Sequence, residues 1–250
     1  MVKSVQRTLE LLQALGSTNK KYTLSELGEV TGLPPSTVHR LLVTLKQHRF
    51  VTQDELSSLY YLGPALVTLG IKAGNYIDLR KSAMSIMRNL ANTTGEDSYL
   101  AISDVYRGIF LERVAGPHPL KIIDPFDKQV SLHCGAMRKV LLAFKDSKFI
   151  NNFINNDLNK FTEKTISDRD ELLEELKRIR KEDVAISIGE YIKDAVGIAA
   201  PIRDKHGTVI ASLGIIGPMT RFPQDKLEEQ ILEVKRHGRQ LSFDLGYYSI

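Results

Sequence analysis

The chain has 250 residues, 42% of them hydrophobic and 26% charged, with a net charge of +4 at neutral pH, which leaves room for one small domain and one domain of ordinary size. This mild basic balance permits binding to nucleic acid without indicating it. No apolar run approaches the roughly 20 residues that cross a bilayer and no signal-peptide pattern opens the chain, so we expect a cytoplasmic protein without a membrane partner.

Two helices are predicted in the first part of the chain. The first has an apolar stripe at helical spacing, and Arg7 near its start is available to contact a phosphate backbone. Its inward-facing residues are predicted to be Val5, Leu9 and Leu12. The second is short, because Thr23 and Glu26 fit a capping box at its start and Gly32 suits its end.

The next segment opens with two prolines and continues with helical periodicity. Proline is tolerated in the first turn of a helix, because the amide that it lacks would have no partner there and its fixed φ is already helical. Pro34 and Pro35 therefore mark the start of a third helix. Its buried stripe is predicted at Val38, Leu41, Leu42 and Leu45. Two short helices joined by a tight turn predict a helix-turn-helix, whose second helix enters the major groove of DNA.

The opposite face of the third helix suits DNA, since it carries no acidic residue. Hydroxyls and exposed amides in its first turn are able to hold phosphates, and Arg40 is able to reach a guanine edge or another phosphate. The candidate DNA-binding residues are Arg7, Thr23, Pro35, Ser36, Thr37, His39, Arg40 and Val43. An ordinary helical hairpin in some other all-α domain is the alternative interpretation of this segment alone.

Two short β-favouring runs, Phe50 to Gln53 and Leu59 to Leu62, follow the third helix and predict a hairpin, which in this position is a wing. Residues 1–62 are thus predicted to form a winged helix-turn-helix DNA-binding domain. Residues 63–78 open with Gly-Pro and predict a linker helix that also makes a dimer contact. Its contact face is predicted at Leu66, Leu69 and Ala73. A linker that merely connects the two domains is the alternative.

Residues 79–250 predict an α+β domain with an antiparallel sheet covered on one side by helices. The expected elements are a helix from Leu79 to Gly95, strands at Ser98–Ser103, Gly108–Val114 and Val130–His133, a helix over Ala136–Phe144, an irregular Asn-rich stretch, a helix over Asp168–Lys181, a strand over Val184–Ile188, a hairpin of GIAAPIRD and TVIASLGIIGP, and a helix over Pro223–Phe243. Small-molecule sensor domains often have this order, although fold alone does not fix function.

Four segments, in this order and spacing, resemble the IclR family of bacterial transcription regulators over the entire chain: SVQRTLELL, LSELGEVTGLPPSTVHRLLVTL, SLHCGAMRKVLLAF and VGIAAPIRDKHGTVIASLGIIGP. The resemblance implies an N-terminal winged helix, a linker helix and a C-terminal effector domain of GAF-like fold, acting on operator DNA as dimers or tetramers. It also implies control by a small metabolite, often a carboxylate or an aromatic acid. We therefore expect a repressor of a catabolic operon whose operator affinity is controlled by a small acidic effector.

The resemblance places the effector pocket over the sheet, between residues 134–139 and the strands around 190–199 and 212–216. The candidate effector-binding residues are Ser98, Leu100, Cys134, Gly135, Ala136, Met137, Glu190, Ser212, Gly214 and Ile216. One physical argument agrees with this placement. Free amides at the start of a helix form an anion site, so residues 135–137 predict docking of a carboxylate.

The sequence departs from the family pattern at two places in this pocket. Arg138 stands where a glycine is usual, and it either supplies a cation to an acidic effector or points to solvent. Gly214 and Ile216 take alternate strand positions where the family often carries serines. These departures predict a more apolar effector, or one with a single acidic head, rather than a small keto acid.

An enzyme is the competing class of function, with Cys134 beside His133 as the nucleophile of a metabolite-processing site on a GAF-like domain. Adjacent residues on a strand point to opposite faces, so the two side chains would not pair there. A lone cysteine is most often a small buried hydrophobe, and it excludes an intrachain disulfide. No P-loop, dinucleotide fingerprint or paired metal-ligand spacing occurs, so we expect neither an enzyme nor a cofactor nor a metal.

Overall fold

The computed structural model describes residues 2–17, 20–73, 76–122, 130–156 and 158–248, with the backbone alone for residues 70–73 and 76–78. The chain divides into two compact units, Met1–Ile77 and Asp78–Ile250. Within the described ranges, every helix is too short or too polar to span a bilayer.

The first unit is a winged helix. Its elements are α1 (Lys3–Gly16), α2 (Leu24–Thr31), α3 (Pro35–Gln47), β1 (Val51–Gln53), β2 (Tyr60–Leu62) and α4 (Pro64–Ala73). β1 and β2 pair antiparallel with Val51 opposite Leu62, which confirms the predicted wing. One apolar core joins α1, α2, α3 and β1, and it includes Leu11, Leu27, Leu42 and Val51.

Local signals set the helix starts as predicted. The hydroxyl of Thr23 accepts from the amide of Glu26 at 3.2 Å, and the Glu26 carboxylate accepts from the amide of Thr23 at 2.8 Å, so the capping box is present. Gly32 ends α2 at a φ of +66°, a left-handed conformation that glycine adopts without strain. Pro35 is the first residue of α3.

The inward face of α1 differs from the prediction. Its buried residues are Leu11, Ala14 and Leu15. Val5 and Leu9 are 56% and 54% exposed, and Leu12 is only partly buried. Both sets have helical spacing along α1, so periodicity alone was unable to distinguish them, and packing against the rest of the unit selects the first set.

The second unit is built on a six-stranded antiparallel sheet with strand order β5-β4-β3-β8-β7-β6. Its elements are α5 (Tyr76–Thr94), β3 (Asp97–Asp104), β4 (Arg107–Val114), β5 (Val130–Ser131), α6 (Ala136–Ala143), α7 (Ser147–Ile154), α8 (Arg169–Glu182), β6 (Ala185–Ile188), β7 (Ala195–Arg203), β8 (Val209–Pro218) and α9 (Gln224–Asp244). β7 and β8 form the predicted hairpin, with Gly197 opposite Ile216.

Helices cover both faces of this sheet, and the prediction of one covered side was wrong. On one face, α6, α7 and α8 share one apolar core with Tyr99 and Ala101 of β3. On the other face, α5 and α9 pack on Leu100 and Ile102 of the same strand. Because residues 99–102 of β3 are all apolar and alternate between its two faces, both faces need cover.

The Asn-rich stretch expected to be irregular contains the helix α7. Asp146 caps this helix by accepting from the amide of Phe149 at 2.7 Å. Its buried residues are Ile150, Phe153 and Ile154. The asparagines at 151 and 152 lie on the exposed side, where they do not oppose packing.

Candidate functional site

The exposed face of α3 presents most of the predicted DNA-binding side chains. The exposed members are Pro35, Ser36, His39, Arg40 and Val43, and Thr37 is half-buried. The buried residues Val38, Leu42 and Leu45 hold the helix on the core of the first unit. Since α3 contains no acidic residue, nothing on the helix itself repels a phosphate.

The first turn of α3 offers one backbone amide to an anion. Pro35 has no amide, and the amide of Thr37 donates to the carbonyl of Pro34 at 2.9 Å. The amide of Ser36 has no carbonyl partner in the part of the chain that the structure describes. Ser36 therefore brings both an amide and a hydroxyl to the start of this exposed helix.

Arg7 and Thr23 lie outside α3. Arg7 is exposed on α1. Thr23 is also exposed, but its hydroxyl already donates to the Glu26 carboxylate at 3.0 Å as part of the capping box. Thr23 thus positions the start of α2, and a phosphate at this residue would share its hydroxyl with Glu26.

The wing is tied to the rest of the first unit by polar contacts near its base. Lys46 donates to Gln53 at 2.9 Å, and Lys21 pairs with Asp54 at 2.7 Å. The hydrogen bond from Lys21 lowers the pKa of Asp54 below its ordinary value. The tip, residues 54–58, has no basic residue, so the face of α3 suits a phosphate backbone better than the wing tip does.

A pocket lies in the second unit beside the first turn of α6. It encloses about 390 Å³ including its open mouth, and the part wide enough for a water molecule measures about 30 Å³. Half of the predicted effector residues line it, namely Gly135, Ala136, Met137, Glu190 and Ile216. Because the inner part is narrow, a ligand of more than a few atoms requires side chains to move.

Glu190 occupies the start of α6 with its own carboxylate. Its Oε2 accepts from the amide of Gly135 at 3.3 Å, and its Oε1 accepts from the ammonium of Lys139 at 2.6 Å. The amide of Gly135 is therefore not free, which corrects the prediction of three free amides. Those of Ala136 and Met137 have no backbone partner among the described residues.

Lys139 connects three elements from a buried position. Its side chain is 1% exposed and donates to Glu175 of α8 at 2.8 Å, to the carbonyl of Ile186 at 2.9 Å and to Glu190. Burial raises the pKa of Glu190 above its ordinary value, although the positive charge of Lys139 opposes this. Burial also acts on Glu175, but the hydrogen bond from Arg178 and the charge of Lys139 outweigh it and lower its pKa.

The backbone of Glu190 is fixed as firmly as its side chain. Its carbonyl accepts from the hydroxyl of Thr165 at 2.6 Å, from that of Thr162 at 3.1 Å and from the thiol of Cys134 at 3.3 Å. The loop after β6 therefore presents its carboxylate to the pocket in one orientation.

Arg138 lines the pocket instead of pointing to solvent. Its side chain is buried, and its guanidinium lies 5.1 Å from the ring centre of Phe110 and 5.0 Å from that of Tyr191. A Cβ on Gly108 would lie 2.7 Å from Cγ of Arg138. The absence of a side chain at Gly108 thus makes room for the stem of this arginine.

Ser98 and Leu100 do not reach this pocket. The hydroxyl of Ser98 donates to the carbonyl of Met87 in α5 at 2.9 Å, and Leu100 packs in the core between the sheet, α5 and α9. Both side chains lie on the face of β3 opposite α6. The prediction assigned the wrong set of alternate residues of this strand to the pocket face, because both faces carry apolar residues.

Ser212 and Gly214 lie on the face of β8 that meets α6, but they support the pocket without lining it. The hydroxyl of Ser212 donates to the carbonyl of Met137 at 3.0 Å, which positions the first turn of α6. A Cβ on Gly214 would lie 2.2 Å from the carbonyl oxygen of Ile198. Gly214 therefore allows the close approach of β7 and β8.

Cys134 is a buried thiol without a catalytic partner in the described part of the chain. β5 ends at Ser131, so the argument from strand alternation does not apply to residues 133 and 134. Burial raises the pKa of Cys134 to about 12, which keeps it protonated at neutral pH. The ring of His133 lies within hydrogen-bond distance of the Ser131 hydroxyl (2.9 Å) and the Asn159 carbonyl (3.0 Å). Within the described ranges, no cluster of metal-ligating side chains is placed to hold an ion.

Several lining residues were not predicted, among them Phe110, Ser187 and Tyr191. They come from β4, from β6 and from the loop after β6. Tyr191 follows the predicted Glu190 directly, and this adjacency was the one available signal. The other two carry no local pattern that distinguishes a pocket residue from a core residue.

Two family models match the chain. The model described as the IclR helix-turn-helix domain matches residues 4–55, and the model described as the bacterial transcriptional regulator IclR C-terminal domain matches residues 72–243. The two matches fall on the winged helix and on the α+β unit.

Individual relatives extend over nearly the whole chain. The transcriptional regulator KdgR of Escherichia coli K12 is 30% identical over 248 residues, which are 99% of this chain and 94% of that protein. KdgR of Dickeya chrysanthemi is 31% identical over 248 residues, 99% of this chain and 81% of that protein. These relatives are transcriptional regulators, in agreement with the prediction that the chain is not an enzyme.

A solved structure supports the fold. An IclR homolog from Microbacterium hydrocarbonoxydans, crystallised with 4-hydroxybenzoate, matches with a TM-score of 0.85 at 22% identity and covers 97% of this chain and 98% of that one. The predicted α+β architecture, with an N-terminal winged helix and a C-terminal domain on an antiparallel sheet, is thereby confirmed.

Proposed function

The chain belongs to the IclR family of bacterial transcriptional regulators, and on that premise we propose that it represses a catabolic operon and leaves its operator when a small acidic metabolite binds the pocket beside α6. A protein bound over a promoter excludes the polymerase without any further contact, so repression is the simplest sign of control. The proposal includes a cytoplasmic location, where the operator is.

The exposed face of α3 carries the DNA-binding part of the proposal. Hydroxyl, imidazole, guanidinium and methyl groups stand together on it without an acidic neighbour. Arg40 near its centre has the reach and the fork to read guanine, and Val43 offers methyl groups to a thymine. We assign residues 1–62 to DNA binding on this basis.

The remaining assignments concern assembly and signal. We assign residues 63–78 to a linker that also contacts a second copy, in a homodimer or homotetramer. Leu69 on α4 is 48% exposed and Val67 is 64% exposed, which supports an apolar contact there, whereas the side chain of Ala73 lies outside the described residues. We assign residues 79–250 to effector binding, and a change in the spacing of two winged helices would weaken their hold on two half-sites.

Capture of genomic DNA tests the regulator function. Fragments of the source genome bound by the purified full chain at moderate salt are sequenced and searched for a shared motif. We expect a (pseudo)palindrome, because a symmetric dimer reads two related half-sites. Recovery of random fragments alone would contradict the proposal. Transcription in vitro from a promoter beside the recovered motif then gives the sign of control, and activation would contradict repression.

A matched pair of variants tests which groups read the bases. Arg40→Ala is expected to lose roughly 1–3 kcal/mol of operator binding and to relax the preference at one base pair. Arg7→Ala is expected to weaken binding uniformly across sequences and to reduce the salt dependence by about one charge. An Arg40→Ala variant that keeps its base preference would exclude Arg40 as a base reader.

A further inference from the structure

The pocket beside α6 presents a carboxylate where an acidic ligand was expected to dock. Glu190 is 7% exposed, and its Oε2 already accepts from the amide of Gly135. A ligand carboxylate at the same helix start would lie against this charge, and like charges repel strongly in a buried site. A hydroxyl or an ammonium would instead donate to Glu190 in a charge-assisted hydrogen bond.

The cation for an acid lies at another wall of the same pocket. The guanidinium carbon of Arg138 lies over the ring of Phe110 at 5.1 Å and over that of Tyr191 at 5.0 Å. A guanidinium is able to contact an aromatic ring and also to bind a carboxylate in its plane through paired N–H groups, so the two kinds of contact are compatible. The ring contacts and the glycine at 108 restrict the position of this side chain.

One small molecule is able to reach both charges. Oε2 of Glu190 lies 3.3 Å from the nitrogen of Gly135, and Nη1 of Arg138 lies 3.3 Å from the position that a Cβ on Gly135 would take. Because these two positions on one residue are about 2.5 Å apart, the carboxylate oxygen and the guanidinium nitrogen are separated by at most about 9 Å.

We propose that the effector is a two-headed acid, with a carboxylate that binds Arg138 and a hydroxyl or ammonium that donates to Glu190. This inference rests on the proposed function, in which the pocket beside α6 is the effector site. In this inference the carboxylate of the effector binds Arg138, and not the backbone amides at the start of α6 as the sequence predicted. The part between the two heads is largely apolar, because Ile192, Ala195 and Ile216 line the pocket together with the hydroxyl of Ser187.

Matched probes test both heads on the unmodified full chain. Isothermal titration calorimetry compares 4-hydroxybenzoate with benzoate, which lacks the donor, and with 4-hydroxybenzamide, which lacks the charge. An aliphatic set uses 4-hydroxybutanoate, butanoate and 4-hydroxybutanamide. We expect the hydroxy acid of at least one set to bind about tenfold or more tightly than both of its analogues, since each analogue lacks one of the two charge-assisted hydrogen bonds in a buried site. Equal or tighter binding of benzoate or butanoate would overturn the proposal, and so would a failure of both hydroxy acids to bind.

Two variants then connect each preference to one residue. Glu190→Gln is expected to remove the preference for the hydroxy acid over the simple acid, and Arg138→Met the preference for the acid over its amide. Glu171→Gln and Arg169→Met, at exposed positions of α8, are the matched controls and are expected to keep both preferences. Loss of both preferences in either pocket variant, with a normal circular dichroism spectrum, would indicate a structural role and contradict the assignment.

Operator binding on the same preparations separates this inference from the function on which it rests. Release of the operator by the preferred hydroxy acid supports both. Operator binding without any preference among the probes overturns the two-headed ligand and leaves the regulator standing. A clear preference without operator binding supports the ligand class and contradicts the proposed function.

Discussion

Glu26 in the first unit and Glu190 in the second each hold the start of a helix, and they do so with the same kinds of partner. Each carboxylate accepts from one backbone amide and from one lysine ammonium, and the lysine distance is 2.6 Å in both pairs. The hydrogen bond from Lys20 is the main reason that the pKa of Glu26 falls to about 2. Burial, in contrast, raises the pKa of Glu190.

Solvent accounts for this difference. Water supports the ionised form of Glu26, so every hydrogen bond that it accepts lowers its pKa further. Glu190 has lost water, and its contacts return only part of what burial removes. At the surface, this pair of contacts adds to the stabilisation that water already gives an ionised carboxylate. In the second unit, the same pair offsets part of the cost of burying the charge.

The largest effect is expected when the buried pair is broken. Lys139→Met keeps most of the volume of the side chain but leaves two glutamates, 175 and 190, without their shared cation. Removal of one member of a buried pair destabilises by about 3–5 kcal/mol. We expect a loss of this size in the free energy of unfolding of the second unit, measured by urea unfolding with hydrogen exchange of its peptides.

The surface pair provides the control for this measurement. Lys20→Met removes the same contact from Glu26, where water replaces the ammonium, and we expect little change in stability. Adding Glu190→Gln to Lys139→Met is expected to restore part of the loss, because the uncompensated charge is removed. Equal losses in Lys20→Met and Lys139→Met would show that burial does not distinguish the two pairs.

The same two sites show what the sequence was able to predict. Thr23 and Glu26 are three residues apart, and a capping box depends on local geometry alone, so the pattern predicted it. Glu190 and Gly135 are 55 residues apart. Their contact exists because the loop after β6 reaches the start of α6, and no local pattern encodes that meeting.

Which face of an element is exposed was likewise predictable for α3 but not for β3. The exposed face of α3 was predictable, since one apolar stripe of helical period leaves a single polar face. β3 is apolar at every position from Tyr99 to Ile102, so its sequence did not indicate which alternate residues face α6. Ser98 and Leu100 were therefore assigned to the wrong face. Packing partners, not periodicity, decide such cases.

A smaller effect is expected at the surface site itself. Thr23→Ala removes the hydroxyl that accepts from the amide of Glu26, and loss of such a cap costs about 1 kcal/mol. Urea unfolding of the first unit measures this loss. Thr8→Ala is the control, because the Thr8 hydroxyl donates to the carbonyl of Ser4 in the interior of α1 and does not stand at a helix start. A loss in Thr8→Ala as large as that in Thr23→Ala would exclude the cap as the cause.

The smallest and most specific effect is the pH dependence, in which the two glutamates are expected to have opposite signs. The pKa of Glu26 is about 2 in the folded chain against an ordinary value of 4.5, so the stability that it contributes is complete above pH 4.5 and is lost as the pH falls toward 2. The pKa of Glu190 is raised, so its stabilising contribution is complete below its ordinary value and is lost as the pH rises through the raised one. The stability advantage of the unmodified chain over Glu26→Gln should therefore shrink in acid. In contrast, Glu190→Gln should become more stable relative to the unmodified chain as the pH rises. Titrating groups that do not interact with the substituted glutamate cancel in each difference, so parallel pH trends for the two variants would mean that burial does not separate these helix starts.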